Sequence, residues 1–219
     1  GIPSSFKTSI SNRSSTGVID LDSLQTILDG KSDLCDPESI VLICVTHVPT
    51  NSGIINPVQE IGHMIQEFNT LQQNGRNRGG NLPQILYLVD ACQSVGQLVV
   101  DVKEMKCHAL TATGRKYLRG PRGTGFLFVQ KEIANLLEPS HVDHAAAPIL
   151  KLMSEQPCHG IYTGLEEGNE YGLAHTYQHG AARFEFWESN LANRLGLGAA
   201  IDIALDIGLE KIEERCSYF

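Results

Sequence analysis

The chain holds 219 residues, with 17 basic against 25 acidic side chains and a formal net charge of −8. That balance excludes general nucleic-acid binding through a basic domain. Apolar residues at 42% and charged residues at 19% describe an ordinary globular chain, with enough material for one large domain or one domain and part of a second.

In chain order, residues 1–17 are polar and Ser/Thr-rich and are expected to be loose or a trimmed edge. IDLDSLQTILDG reads as a short helix, with Asp22 as cap, Leu24, Ile27 and Leu28 as its apolar face, and Gly30 as its stop. SIVLICVT (39–46) is a continuous apolar run, predicted to be a strand buried on both faces as in parallel sheets. After the turn-rich HVPTNSGIINP, Asn56 is placed to cap a helix with Pro57 at its first position and Gln59 at the capping-box position. The apolar face of that helix is Val58, Ile61, Met64, Ile65, Phe68 and Leu71, and Asn74-Gly75 ends it.

QNGRNRGGN is a polar loop, followed by three further strands: QILYLVD (84–90), HALTAT (108–113) and GFLFVQ (125–130). Strands alternating with helices predict an α/β fold, a doubly wound three-layer α/β/α arrangement on a mostly parallel sheet. The stretch 139–180 holds five of the eight histidines without periodicity, the mark of a functional or poorly ordered loop. RFEFWESNLANRLGLGAAIDIALDIG shows helical spacing through Trp187, Leu191 and Leu195.

Cys35, Cys44, Cys92, Cys107, Cys158 and Cys216 form no C-x-x-C pair. They are expected to be reduced, small core residues, with no metal site, in a cytoplasmic protein whose organelle address stays open. No run approaches a membrane span. Gly1 to Ser5 and the final CSYF loosely mimic lipidation signals and are read as chance matches. The missing initiator Met and the charged finish EKIEER read as a fragment of a longer protein.

Ligands of open α/β sheets sit beyond the carboxyl ends of the strands, so Thr46-His47, Asp90 and Thr113-Gly114-Arg115-Lys116 are the residues to weigh. TATGRKYLRGPRGTG places four cations there. It has neither the spacing nor the hydroxyl of a P-loop, and Gly123-Thr124-Gly125 runs into a strand rather than opening a helix as a dinucleotide fingerprint does. With Tyr117 as the one aromatic among the cations, single-stranded nucleic acid is a poor match.

A Schiff-base lysine is the remaining reading. Pyridoxal phosphate needs an amine for its aldehyde, an acid for its pyridine nitrogen and donors for its phosphate. Lys116 offers the amine, Asp90 the acid, and Thr113 and Arg115 the phosphate donors. His47 reads as a structural histidine, and Arg119 and Arg122 as solvated charge.

VDACQSVGQLVVDV followed by LTATGRKYLRGPRGTGFLFV closely resembles the class V aminotransferase family of fold-type I pyridoxal-phosphate enzymes. The nearest likeness is to its isopenicillin N epimerase-like and ergothioneine-pathway C–S lyase branch, with cysteine desulfurases as relatives. The likeness runs from about THVPTNSGIINP to the helix after RFEFWE and rests on paired D-x-x-Q-x-x-G and K-x-x-x-G-P-x-G-x-G motifs.

The resemblance implies that Lys116 forms the internal aldimine and moves the Cα proton, that Asp90 faces the pyridine nitrogen, and that Gln93 lies near the ring hydroxyl. It sets Thr50 where many relatives have an Asn touching that hydroxyl, Thr113 where they have a phosphate-binding Ser, and Arg115 where desulfurases have His. It further implies C–S lyase or transaminase-type chemistry on a small amino acid, and a homodimer, with neither nucleic acid nor membrane as partner. Residues 18–180 would be part of the cofactor-binding large domain, and 181–219 the helix leading to a small domain beyond the chain. One departure stands out. Phe184-Glu185 continues as Phe186-Trp187-Glu188 rather than as the Gly-Thr pair whose threonine reaches the partner subunit's phosphate in desulfurases. The alternatives are a non-catalytic or truncated relative that binds cofactor weakly, and a local anion-binding module built on Arg115 to Arg122.

Overall fold

An isolated strand satisfies none of its own backbone groups until neighbours pair with it, and four apolar runs of this chain meet that need side by side. The computed structural model describes residues 17–75, 85–143, 146, 149–153, 172–175 and 177–218. The four strands are β1 (Leu42–Thr46), β2 (Leu86–Asp90), β3 (Ala109–Thr113) and β4 (Gly125–Val129), in that spatial order. β1 and β2 run parallel with Thr46 opposite Asp90, and β2 and β3 run parallel with Asp90 opposite Thr111. The carboxyl ends of three strands therefore lie together, and every predicted site residue ends or follows one of them.

Two compact units emerge, residues 1–128 with 191–219, and residues 129–190. In the first, α1 (Leu21–Leu28) and α2 (Val58–Gly75) precede and follow β1, and α4 (Leu191–Ile207) and α5 (Leu209–Ser217) close the chain. Val58, Ile61, Ile65 and Phe68 of α2 are buried against Val45, Tyr87, Val89, Leu110 and Ala112 of the sheet, the helical period of about 3.6 meeting the strand period of about 2. Leu71, assigned by its spacing to the same face, is 65% exposed. The buried Asn69 amide pins α2 to the start of β2, accepting from Ile85 N at 2.9 Å and donating to Ile85 O at 2.9 Å.

β1, β2 and β3 are buried on one face rather than two, and β4 is exposed or half-buried throughout. Residues 86, 88 and 90 of β2 and 109, 111 and 113 of β3 are half-buried, while Leu42, Cys44 and Thr46 of the edge strand β1 are exposed. A run of apolar residues reads the same whether one face or both are covered, so its composition could not decide this. Nor are the cysteines mainly core residues. Among the described ones only Cys107 is buried; Cys35 and Cys92 are half-buried and Cys44 and Cys216 exposed, all as free thiols.

The helix ends also differ from their sequence reading. Asp20, not Asp22, caps α1, its carboxylate accepting from the backbone of Asp22 at 3.0 Å and Ser23 at 3.3 Å. The Asn56 side chain is engaged elsewhere, accepting from Ile19 N at 3.2 Å and donating to Thr46 O at 2.8 Å, which ties the chain entering α1 to the end of β1. The helical pattern read through Trp187 begins only at Leu191 and breaks at Gly208, whose φ of +95° lies in the left-handed region that favours glycine.

In the second unit, α3 (Lys131–Ala134) precedes an antiparallel pair, β5 (Ile149–Met153) and β6 (Gly172–His175). Part of the stretch without sequence periodicity is thus paired. The buried Arg183 guanidinium donates to the carbonyls of Gln178 and Leu137 and to Asn135 Oδ1 at 3.0, 3.2 and 3.3 Å. Those acceptors offset the cost of placing its charge out of water.

Candidate active site

An apolar hollow of the first unit is not where the chemistry lies. Of about 330 Å³, it is lined by residues such as Leu98, Leu110, Leu118, Phe128 and Ala204, and no lining side chain is polar. A site that orients a reacting group needs convergent polar groups, and these gather at the strand ends.

Three loops build that edge. The one after β1 carries Thr50; the turn after β2 carries Gln93; the turn after β3 carries Arg115 and Lys116. The β3 turn is tight. Gly120 N donates to Gly114 O at 2.8 Å and Arg119 N to Lys116 O at 2.9 Å, and closing it sets Arg119 at φ +60°. α4 braces the turn from outside: Asn193 Nδ2 donates to Arg122 O at 3.1 Å, and Leu197 and Gly196 pack against Gly120 and Pro121.

The two motifs meet through Gly96. A Cβ at this position would lie 2.6 Å from Leu118 N and from the carbonyl carbon of Tyr117, and its φ is +91°. The last glycine of D-x-x-Q-x-x-G thus lets the β2 turn rest directly on the backbone that follows Lys116. Gly96→Ala should therefore lower stability by about 2–3 kcal/mol. A urea unfolding midpoint equal to wild type would show that the turns are not in contact.

Asp90 and Lys116 are both half-buried and act on one thiol. Cys92 N donates to Asp90 Oδ1 at 3.0 Å. Burial first, then hydrogen bonding to the Asp90 carboxylate and its negative charge, push the Cys92 thiol up; the Lys116 charge and a backbone donor from Thr113 act in the opposite sense. On β1, burial and the Asp90 charge likewise push up the Cys44 thiol. The charges of Asp90 and Lys116 thus act on the Cys92 thiol in opposite senses.

Gln93 Nε2 donates to Thr50 Oγ1 at 2.8 Å, which joins the first two loops. Thr113 Oγ1 makes a long bond of 3.4 Å to Thr124 O. Arg115, Arg119 and Arg122 are exposed, and no described contact draws the Arg115 side chain to the group around Cys92.

His47 is buried, and its backbone N–H donates to Asp90 O at 2.9 Å. Burial lowers its pKa while the Glu213 charge raises it, and Glu213 itself accepts from Val99 N at 2.9 Å. His47 thus lies beneath the site as part of its scaffold. Cys92, read from the sequence as a core residue, is half-buried and its N–H meets Asp90. Its position inside D-x-x-Q was the available signal, but a cysteine in an apolar run looks like core filling.

The donor set fits pyridoxal phosphate chemically, with an amine, a carboxylate, a hydroxyl and a hydroxyl–amide pair at one accessible sheet edge. Among the described residues no group of three or more His, Cys, Asp or Glu could hold a metal ion, and no helix is long and apolar enough to cross a membrane.

A family model described as "Aminotransferase class-V" matches residues 9–217. A "Probable cysteine desulfurase" from Pyrococcus abyssi is 29% identical over 191 residues, covering 85% of this chain and 39% of that protein. The apo cysteine desulfurase from Thermococcus onnurineus NA1 superimposes with a TM-score of 0.63 at 23% identity, covering 91% of this chain and 39% of that one. The cystine C–S lyase C-DES, in complex with its product cysteine persulfide, does so with a TM-score of 0.54 at 24% identity, covering 80% and 37%. These structural likenesses carry the fold: a mostly parallel α/β sheet of the kind those proteins share. The chain spans 39% of the length of the desulfurase it matches in sequence.

Proposed function

The chain belongs to the aminotransferase class-V family, and from that premise we propose that it forms the cofactor-binding part of a pyridoxal-phosphate enzyme acting on a small amino acid. C–S bond cleavage or transamination is the reaction class, and a homodimer the working form of the whole protein. The observation that supports this reading is that Asp90 and Thr113 end two paired parallel strands, with Lys116 in the turn that follows Thr113.

Bound pyridoxal phosphate would supply an electron sink for charge developing at the substrate's Cα. The chain's own residues do the rest. Lys116 presents a primary amine at the edge of the sheet, positioned by a turn that Gly114, Gly120 and α4 hold closed. With cofactor and substrate bound, its Nζ would be the base that holds and returns the Cα proton. The Asp90 carboxylate would hold the ring nitrogen and favour its protonated form. Thr50, whose oxygen already accepts from Gln93, keeps its own hydroxyl proton to donate near the ring hydroxyl. Thr113 can exchange its long bond to Thr124 for a phosphate oxygen, and Arg115 adds a cation from the solvent side. Phe186-Trp187-Glu188 stands where the resemblance would have the Gly-Thr pair, so no partner-subunit phosphate contact is assigned there.

Treating the purified protein with pyridoxal phosphate and then borohydride, followed by peptide mapping, tests the reading. The expected result is a stable pyridoxyl label on Lys116. A label on no lysine, or on another one, would overturn it. The same label without product from any amino acid in a panel would favour the second reading, a scaffold that holds the cofactor without turnover. Sulfide release from cysteine or cystine, measured against keto-acid formation, separates C–S cleavage from transamination.

A further inference from the structure

We propose that Asn56 is a positioning residue, whose side-chain amide fixes the base of the loop between β1 and α2 and so sets Thr50 against Gln93. The proposal rests on the functional reading above for its consequence at the cofactor, but not for its geometry.

Residues 50–53 and 55 of this loop are exposed, so little packing holds its tip. There a turn is closed by Gly53 N donating to Pro49 O at 2.9 Å, and Thr50, one residue into it, accepts from Gln93 Nε2 at 2.8 Å. The hold lies at the base, where His47, Val48 and Asn56 are buried. The Asn56 backbone N–H donates to His47 O at 2.8 Å, and His47 N donates to Asp90 O at 2.9 Å, which attaches the loop to the end of β2. A single bond closing the loop would leave a pivot. The Asn56 side chain removes it: Nδ2 donates to Thr46 O at 2.8 Å, so one residue grips two successive carbonyls. Its Oδ1 accepts from Ile19 N at 3.2 Å. The segment before α1 meets the same loop a second time, where a Cβ on Gly17 would lie 3.0 Å from Ile54 Cδ1. A carbonyl only accepts and an N–H only donates, so these partners leave the buried amide one orientation. Aspartate, of the same size, lacks the donor at neutral pH, and alanine lacks both groups.

The experiment compares wild type, Asn56→Asp, Asn56→Ala, Thr50→Val and the double variant Asn56→Ala/Thr50→Val as full chains, in two arms. The first records, without cofactor, the nuclear Overhauser effect between the Gln93 side-chain amide and the Thr50 methyl group. The signal is expected in wild type and is expected to be lost in Asn56→Ala, while the methyl signals of buried Ile61 and Ile65 report an intact fold. Asn56→Asp gives the same comparison should the alanine variant fold poorly. The second arm measures pyridoxal phosphate affinity and the absorbance maximum of the bound form. Asn56→Ala and Thr50→Val are each expected to weaken binding about fivefold and to move the maximum the same way. The double variant is expected to do no more than either alone, because both changes remove one contact. A Gln93–Thr50 signal that survives both substitutions of Asn56, or effects of Asn56→Ala and Thr50→Val that simply add, would overturn the proposal. Absence of cofactor uptake by wild type would instead remove the functional reading, and the first arm would still decide the role of Asn56.

Discussion

Lys116→Ala is expected to abolish the borohydride-stable label and to cut turnover by at least about 10²–10⁴-fold, the range spanned by a positioned general acid–base group. The loss of a covalent anchor adds to that figure. Stability should stay within about 0.5 kcal/mol of wild type, because the turn is closed by backbone bonds. Gly120 N to Gly114 O and Arg119 N to Lys116 O both survive removal of the side chain. An added small primary amine should restore part of the turnover, since proton transfer needs only a base in the space vacated by Nζ. Full activity in Lys116→Ala, with a fold unchanged by circular dichroism, would remove Lys116 from the mechanism.

Asp90→Asn is expected to lower turnover by about 10²–10³-fold, or roughly 3–4 kcal/mol, as when one preorganised electrostatic partner of a reacting group is lost. The substitution is close to isosteric, and an amide oxygen can still accept from Cys92 N. What disappears is the negative charge. The same change has a second readout that needs no cofactor. The Asp90 charge disfavours the thiolates of Cys92 and Cys44, and a like charge raises an acid's pKa. Removing it lowers both thiol pKa values, so at fixed neutral pH a larger fraction is thiolate. Iodoacetamide should therefore label Cys92 and Cys44 faster in Asp90→Asn than in wild type. Unchanged labelling rates would show that the carboxylate does not sit against those thiols, whatever the turnover does.

The positions of the four strands were readable beforehand because runs such as LYLVD and GFLFV combine β-branched or aromatic residues with flanking turns. Their one-sided burial was not, since it depends on which other elements reach each face. Local competition misled the reading of helix ends. Asp20 and Asp22 are chemically equivalent candidates two residues apart, and only the extended backbone at Asp20 lets its carboxylate meet the first free amides. Asn56 looked like a cap because nothing in the sequence announces its bonds to Ile19 and Thr46. The β5–β6 pair escaped notice because its partners are far apart in sequence and lack a common period.

At the site, the identities of Lys116, Asp90, Gln93, Thr50, Thr113 and Arg115 came from the chain itself, since chemistry resides in side-chain type and the paired motifs carry those types at a set spacing. What the linear order determined was thus an inventory of reactive groups and the strands that bear them. Which of those groups face each other was decided only in three dimensions. Parallel pairing sets Thr46, Asp90 and Thr111 abreast, and the missing side chain of Gly96 lets one turn lie on another. Hydrogen bonds and close packing join residues distant along the chain, and no periodicity along the chain encodes those distances.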